Sequence, residues 1–196
     1  DDAPPRLRAL LQAAGPLPAP EDACFANVEY AFVARLHDAL HAMAAAATVR
    51  GVAARTMPTF VRGEAAAAGA ALARELIESP APGLLIWGGE TTVTLPPDPG
   101  RGGRNQTLAL AAAIALADRP DVYLLAVGTD GSDGPTEDAG ALVDGDTVER
   151  GHTQGLDAAD CLRRADAGTF LAASGDLIQT GPTGTNVMDV ILGLRC

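Results

Sequence analysis

The sequence predicts an α/β fold, and three observations support that prediction. Apolar residues make up 47% of the 196 residues, which is enough for a globular core. Helical and extended hydrophobic patterns alternate along the chain, as they do when helices cover a sheet. Glycine- and threonine-rich loops separate these patterns, at the places where open α/β sheets bind their ligands.

The N-terminal part of the chain alternates helical and extended patterns in the predicted way. Asn27 can cap a long helix, because its side-chain oxygen can accept from the free N–H groups of the first turn. Pro58 ends a short strand, since proline lacks the N–H that a sheet requires. A change of composition at Pro82 predicts a domain boundary between residues 1–81 and residues 82–196. The elements predicted before it are helices over 6–14, 27–47 and 64–77 and a strand over 52–57.

The C-terminal part contains the clearest strand of the sequence. Residues 122–127 are apolar throughout, as expected of a strand that is covered on both faces. The apolar segments on either side of Gly88 and Gly89 predict a hairpin or one bent strand. The other predicted elements are helices over 105–117, 158–164 and 169–173 and extended segments over 177–180 and 187–194.

Composition and charge exclude several functions. The net charge of −11 argues against nucleic-acid binding, which needs a basic surface. All 14 basic residues are arginine, so the chain contains neither a Walker A loop nor a Schiff-base lysine. No apolar run approaches the roughly 20 residues of a membrane-spanning helix. Three cysteines without metal-binding spacing predict reduced thiols and a cytoplasmic protein.

The GRGGRNQ loop predicts an anion-binding site. Gly102 and Gly103 let the backbone approach a ligand closely. Arg101 and Arg104 supply guanidinium groups that suit a phosphate or a carboxylate. The helix predicted from Asn105 would direct its positive N-terminus at the same anion. On spacing alone, the alternative is a flexible loop whose arginines pair with acidic surface groups.

The GTDGSDGPTEDAG loop has the opposite charge. Asp130 and Asp133 follow the end of the clearest strand, and carboxylate oxygens in such a loop suit Mg²⁺. A solvated acidic turn is the alternative for this loop by itself. An acidic loop and an arginine loop in one small domain together favour metal-assisted phosphoryl transfer.

The GGETT and TGPTGTN loops add further polar groups. Glu90 in the first of them can orient a substrate hydroxyl or a water, although an ordinary surface carboxylate fits equally well. Thr183, Thr185 and Asn186 in the second can supply hydroxyl and amide donors, although a simple turn has the same composition.

The motifs GGETTV, GRGGRNQ, GTDGSDGPT and TGPTGTNV occur in the order and near the separations that characterise a known family. Residues 82–195 resemble the C-terminal MOFRL domain of class II glycerate 2-kinases, a family often labelled hydroxypyruvate reductase. The resemblance implies a MOFRL-type α/β domain at 82–196, preceded at 1–81 by a remnant of a larger, Rossmann-like N-terminal domain. The family's site lies between its two domains, so this chain would hold only part of it and be inactive by itself.

The resemblance also implies an ATP-dependent enzyme that uses Mg²⁺ and phosphorylates the 2-hydroxyl of glycerate. Its implied partners are glycerate, the nucleotide and the missing N-terminal domain, and a homo-oligomer is compatible with it. Asp130 would either hold the metal, with Asp133, or activate the hydroxyl. By motif, the implied catalytic residues are Glu90, Arg104, Asp130 and Asn186, and the implied substrate- and phosphate-binding residues are Arg101, Gly102, Gly103, Asn105, Thr183 and Thr185.

Two other functions stay open at this point. An NAD(P)H-dependent hydroxypyruvate reductase would need a nicotinamide site, and none of the loops contains the glycine fingerprint of one. A non-catalytic ligand-binding domain is compatible with the absence of lysine, since the family's N-terminal domain normally supplies one. Thr107 also departs from the family pattern, which usually has an acid after Asn-Gln.

Overall fold

The computed structural model describes residues 3–196. These residues form two units, of which the first ends at Val33 and the second begins at Ala34. The first unit contains the helix α1 (Pro5–Ala13), in which a proline occupies the first turn. No residue of α1 is buried. The described part of the second unit, residues 34–196, contains every strand found in residues 3–196 and the predicted site residues.

A six-stranded sheet forms the centre of the second unit. The strands are β1 (Ala54–Glu64), β2 (Gly83–Thr92), β3 (Val122–Gly128), β4 (Gly140–Asp144), β5 (Leu177–Ile178) and β6 (Asp189–Arg195). Their order across the sheet is β1-β2-β6-β3-β4-β5. β1 pairs with β2 in parallel, and the other described pairs are antiparallel. The strand that comes latest in sequence therefore lies near the middle of the sheet.

Helices cover both faces of this sheet. They are α2 (Leu36–Val49), α3 (Ala65–Ile77), α4 (Arg104–Leu116), α5 (Thr147–Thr153), α6 (Ala158–Arg163) and α7 (Ala167–Ser174). Leu85 and Trp87 of β2 pack into the main core with α3 and α4. Ile86, between them in sequence, faces the other side and packs with Leu40 of α2, because strand side chains alternate between faces. The fold-class prediction of an α/β protein is confirmed. None of the helices in residues 3–196 is long and apolar enough to cross a membrane.

The long helix begins later than Asn27. It starts at Leu36, where the backbone N–H of Arg35 donates to the carboxylate of Asp38 at 2.9 Å. Asp38 thus satisfies the backbone N–H of Arg35 in the way that the acid of a capping box does. Residues 27–35 lack helical structure, and the large apolar side chains of Val28, Tyr30 and Val33 are exposed there.

The strand predictions for residues 52–57 and 122–127 need correction, and for the segment around Gly88 and Gly89 the alternative of a single strand holds. β1 continues through Pro58, because the register with β2 shifts between Thr56 and Phe60. β2 is one continuous strand across Gly88 and Gly89 rather than a hairpin. β3 is not covered throughout, since Tyr123 is 36% exposed while its neighbours Val122 and Leu124 are buried.

The predicted boundary at Pro82 falls within the second unit. β1 and β2, which lie on either side of it in sequence, pair along most of their length. The division into 1–81 and 82–196 refers to a longer two-domain protein and stays a prediction. The short elements β4 and α5 have no counterpart among the sequence predictions, because neither has enough residues for a clear hydrophobic period.

Candidate functional site

The candidate site lies at the end of the sheet where β2 and β3 finish and β6 begins. Asp189, the first residue of β6, is level with Gly89 on one neighbouring strand and Gly128 on the other. Glu90 follows Gly89 directly, and the loop from Gly128 carries the predicted acids. The sheet topology thus brings together loops that are far apart in sequence.

Arg104 is the cation at the centre of this end of the sheet. Its Nε and Nη2 donate to the two carboxylate oxygens of Asp189 at 2.6 and 3.0 Å. Its Nη1 lies 3.3 Å from Oε1 of Glu90, whose side chain is half exposed. The hydrogen bond with Asp189 is the main reason that the pKa of Arg104 is raised, and Glu90 and Asp133 add to it. The guanidinium is therefore permanently charged and held in one orientation.

The N-terminus of α4 is already occupied by a carboxylate of the chain itself. Oδ1 of Asp133 accepts from the backbone N–H of Asn105 at 3.0 Å, and Oδ2 accepts from that of Gln106 at 2.8 Å. Burial raises the pKa of Asp133 although these two hydrogen bonds oppose the rise. Gly103 makes the contact sterically feasible, because a Cβ there would lie 2.3 Å from Cγ of Asp133. The external anion that the sequence predicts at this terminus would compete with Asp133.

Asp130, in the same loop, is partly exposed. Its Oδ2 accepts from Nδ2 of Asn186 at 3.2 Å, and its Oδ1 accepts from the backbone N–H of Ser132 at 3.1 Å. The hydroxyl of Thr183 donates to the carbonyl of Thr129 at 2.6 Å, which ties the fourth loop to the third. Thr185 takes part in the turn, donating its N–H to the Thr183 hydroxyl at 3.3 Å. Both threonines thus stabilise the loop that presents Asn186.

Arg101 and Arg104 contact different parts of the chain. The guanidinium of Arg101 pairs with the buried carboxylate of Asp138 and donates to the carbonyl of Gly168 at 3.3 Å. Its backbone N–H donates to Asp166 at 2.9 Å. These contacts fasten the arginine loop to the loop before β4 and to the start of α7, which favours a structural role for Arg101.

Two open cavities adjoin Arg104 and Asp130. One of about 340 Å³ lies against Arg104 and the backbone of Gly102 and Gly103. The other, of about 520 Å³, contains Asp130. Both volumes are typical of small-molecule sites. The loop from Asp130 to Glu137 contributes to the walls of both.

The residues present fit a metal only in part. Within residues 3–196, no three histidine, cysteine or acidic side chains lie close enough to form a metal site. Mg²⁺ typically uses one or two carboxylates and takes its other ligands from water and phosphate, so one carboxylate is compatible with it. Asp130 is partly exposed and lines a cavity, whereas both oxygens of Asp133 bind the start of α4.

The sequence predictions omit Asp189, the residue that contacts Arg104 most closely. Its side chain is 3% exposed, and its partner lies 85 residues away in sequence. One signal could have identified it, since a lone carboxylate within an otherwise apolar strand has to find a cation or hydrogen-bond donors. Buried Asn105 shows a related feature: its Oδ1 has no hydrogen-bond partner among the described residues.

Known proteins share this architecture. D-glycerate 2-kinase of Thermotoga maritima is 51% identical over 113 residues, which cover 58% of this chain and 27% of that protein. A putative hydroxypyruvate reductase of Agrobacterium vitis is 38% identical over 160 residues, 78% of this chain and 42% of that protein. The crystal structure of glycerate kinase from Thermotoga maritima matches with a TM-score of 0.82 at 41% identity, covering 87% of this chain and 42% of the other.

The chain therefore spans less than half the length of these relatives. The MOFRL family model matches residues 83–189, which include β2, α4, β3, both cavity-forming loops and the first residue of β6. The family resemblance expected from the four loop motifs is confirmed, and this chain belongs to the MOFRL family.

Proposed function

We propose that this chain is part of a glycerate 2-kinase, which transfers a phosphoryl group from ATP to the 2-hydroxyl of glycerate. The observation that carries the proposal is the fixed guanidinium of Arg104, held by Asp189 at the end of the sheet where the loop with the partly exposed carboxylate of Asp130 begins. Phosphoryl transfer needs a positive charge beside the transferring group and an oriented nucleophile. It does not need a covalent intermediate with the protein. The names of the relatives support this reaction class.

Each residue has a role in this proposal. Arg104 directs Nη1 at the transferring phosphoryl group, and Glu90 beside it orients the glycerate hydroxyl. The hydroxyl oxygen forms the new bond to phosphorus as the bond from phosphorus to the leaving oxygen of ADP breaks. Asp130 accepts the hydroxyl proton, and Asn186, 3.2 Å from it, keeps the carboxylate in place.

Charge balance argues that the site needs cations beyond those of this chain. Three carboxylates, from Glu90, Asp133 and Asp189, act on the single guanidinium of Arg104. An anionic nucleotide and an anionic acid would both be repelled by such an excess of negative charge. Mg²⁺ would supply positive charge when bound, and Asp130 would hold it only if another group accepted the hydroxyl proton. The part of the longer protein that precedes this chain would supply the rest, so we expect this chain alone to be inactive.

The remaining expectations about partners and location belong to the same proposal. The substrates are two small molecules, and nucleic acid and membranes are not partners. The cysteines Cys24, Cys161 and Cys196 are free thiols, which supports a reducing, cytoplasmic location.

The first prediction tests Asp130 in the full-length protein. Glycerate-dependent ADP release should occur with ATP and Mg²⁺, and Asp130→Asn should lower kcat by about a hundredfold or more, because the general base is lost. The assay is coupled ADP release, with hydroxypyruvate-dependent NAD(P)H oxidation followed in parallel.

Asp98→Asn is the matched control, because it removes the same charge from an exposed loop position. It should leave kcat unchanged. NAD(P)H oxidation without glycerate-dependent ADP release would reject the kinase in favour of the reductase. Ligand binding without either reaction would instead favour a non-catalytic domain.

A further inference from the structure

The position of Asp189 in the sheet allows its carboxylate to reach Arg104. It begins the central strand β6, and the residues level with it on β2 and β3 are Gly89 and Gly128. Side chains at such positions on neighbouring strands point to the same face, and glycine supplies none. The Asp189 carboxylate thus reaches Arg104 without competition from a side chain on either neighbouring strand.

The contact between Asp189 and Arg104 leaves part of the guanidinium available. Arginine has five N–H donors in one plane, and Asp189 binds the edge formed by Nε and Nη2 at 2.6 and 3.0 Å. Nη1 extends from that edge toward half-exposed Glu90. A bidentate contact fixes both the position and the plane of the guanidinium. Without it, four side-chain torsions of Arg104 would be free to turn.

A second arginine, whose side chain is 36% exposed like that of Arg104, serves as a comparison. Arg150 binds Asp176 through Nη2 at 2.6 Å, as closely as Arg104 binds Asp189. Its other groups are also used within the chain, since Nη1 contacts Asp144 at 2.9 Å and Nε donates to the carbonyl of Ser174 at 3.2 Å. Arg104 differs because its third nitrogen faces a half-exposed acid beside a cavity.

We propose that Asp189 is a positioning residue for phosphoryl transfer: it fixes the guanidinium of Arg104 so that Nη1 points at the transferring group. This role rests on the proposed kinase function. Asp189 itself does not touch the substrate, since its carboxylate is buried beneath Arg104. The expected consequence is an effect on kcat that depends entirely on Arg104.

The test compares the full-length wild type with Asp189→Asn, Arg104→Met and the double variant. Asp189→Asn should lower kcat about tenfold to a hundredfold with little change in either KM, because a misdirected group costs mainly transition-state stabilisation. In the Arg104→Met background the same substitution should change kcat by less than about twofold, because there is no guanidinium left to position. Asp176→Asn is the control, which breaks a comparable ion pair beside the edge strand β5.

Three results would overturn the positioning role. One is Asp189→Asn with wild-type kcat and a lowered melting temperature, as expected for a purely structural ion pair. Another is an equal loss of kcat in the wild-type and Arg104→Met backgrounds. The third is an equal loss of kcat in Asp176→Asn, which would trace the effect to general destabilisation. A wild-type protein without glycerate-dependent ADP release would reject the proposed function itself, and this role with it.

Discussion

At the scale of single residues, the site depends on a carboxylate that binds the start of a helix. Asp133 satisfies two N–H groups of the first turn of α4 from a loop 28 residues later in sequence. This contact fixes where α4 begins and hence where the backbone of Arg104 lies. It also places a negative charge at a helix N-terminus, where the helix dipole favours it.

Gly103→Ala should break this contact. The backbone of Gly103 suits any residue, with φ at −134°, but an added Cβ would lie 2.3 Å from Cγ and 2.5 Å from the backbone carbonyl carbon of Asp133. We expect a loss of about 1–3 kcal/mol in the free energy of unfolding, measured by urea denaturation, from overpacking and the weakened cap. Gly15→Ala is the control, because a Cβ there meets no atom within 4 Å. Equal stability of the two variants would show that Asp133 can move without cost.

At the scale of elements, the alanine-rich helix α4 allows unusually close packing. Ten of its residues are buried, and most of these are alanine or leucine. The backbone of α4 at Leu108 approaches α3 so closely that only glycine fits at position 69. This contact holds α3 and α4 together over the sheet, and the start of α4 carries Arg104.

Gly69→Ala should therefore destabilise the protein, although alanine favours a helix over glycine by about 1 kcal/mol. A Cβ at position 69 would lie 2.1 Å from the carbonyl oxygen of Leu108, a backbone atom that cannot turn aside. The net loss should be about 1–3 kcal/mol in urea-induced unfolding. Ala71→Gly, at an exposed position of α3, measures the helix preference by itself. Stabilisation by Gly69→Ala would show that helix preference outweighs the contact.

At the scale of the whole molecule, an excess of acid makes stability depend on pH. The net charge is −11, and buried or paired carboxylates lie at both ends of the sheet. The pKa values of Asp144 and Asp133 are shifted in opposite directions. Burial by itself would raise the pKa of Asp144. The positive charge of Arg150 and the hydrogen bonds that Arg150, Asp146 and Thr147 donate outweigh burial, so the pKa is lowered. Burial raises the pKa of Asp133.

The sign of the Asp144 contribution to stability follows from the linkage between proton binding and folding. A carboxyl whose folded pKa lies below its ordinary value of 3.8 stabilises the fold above 3.8 and loses that contribution as the pH falls through the folded value. Asp144→Asn should thus be less stable than wild type at neutral pH, and the difference should shrink below 3.8. Urea unfolding across that range measures it, with Asp98→Asn as control. A constant difference at all pH values would contradict the assignment.

The parts of the fold and of the candidate site that the sequence predicts are those determined by residues close together in sequence. The loops at 100–106 and 128–140 were predictable, because glycines, arginines and acids next to apolar strands have local signatures. The start of α2 was not, since Asn27 is a good cap by chemistry and the choice of Arg35 and Asp38 depends on how the following residues pack. The Arg104–Asp189 pair could not be predicted, because it depends on strand order between segments 85 residues apart.

The place of β6 in the sheet has a consequence for synthesis on the ribosome. Of the described strands it is made last, yet it joins β2 to β3 and so connects the two halves of the sheet. Contacts between segments so distant in sequence form late, since the intervening chain must be closed first. A nascent chain halted before Asp189 would hold two unjoined sheets with open edges, exposed to proteases and to pairing with other chains. The residue that anchors Arg104 and the strand that joins the two halves of this sheet leave the ribosome together, so the same event joins the sheet and positions Arg104.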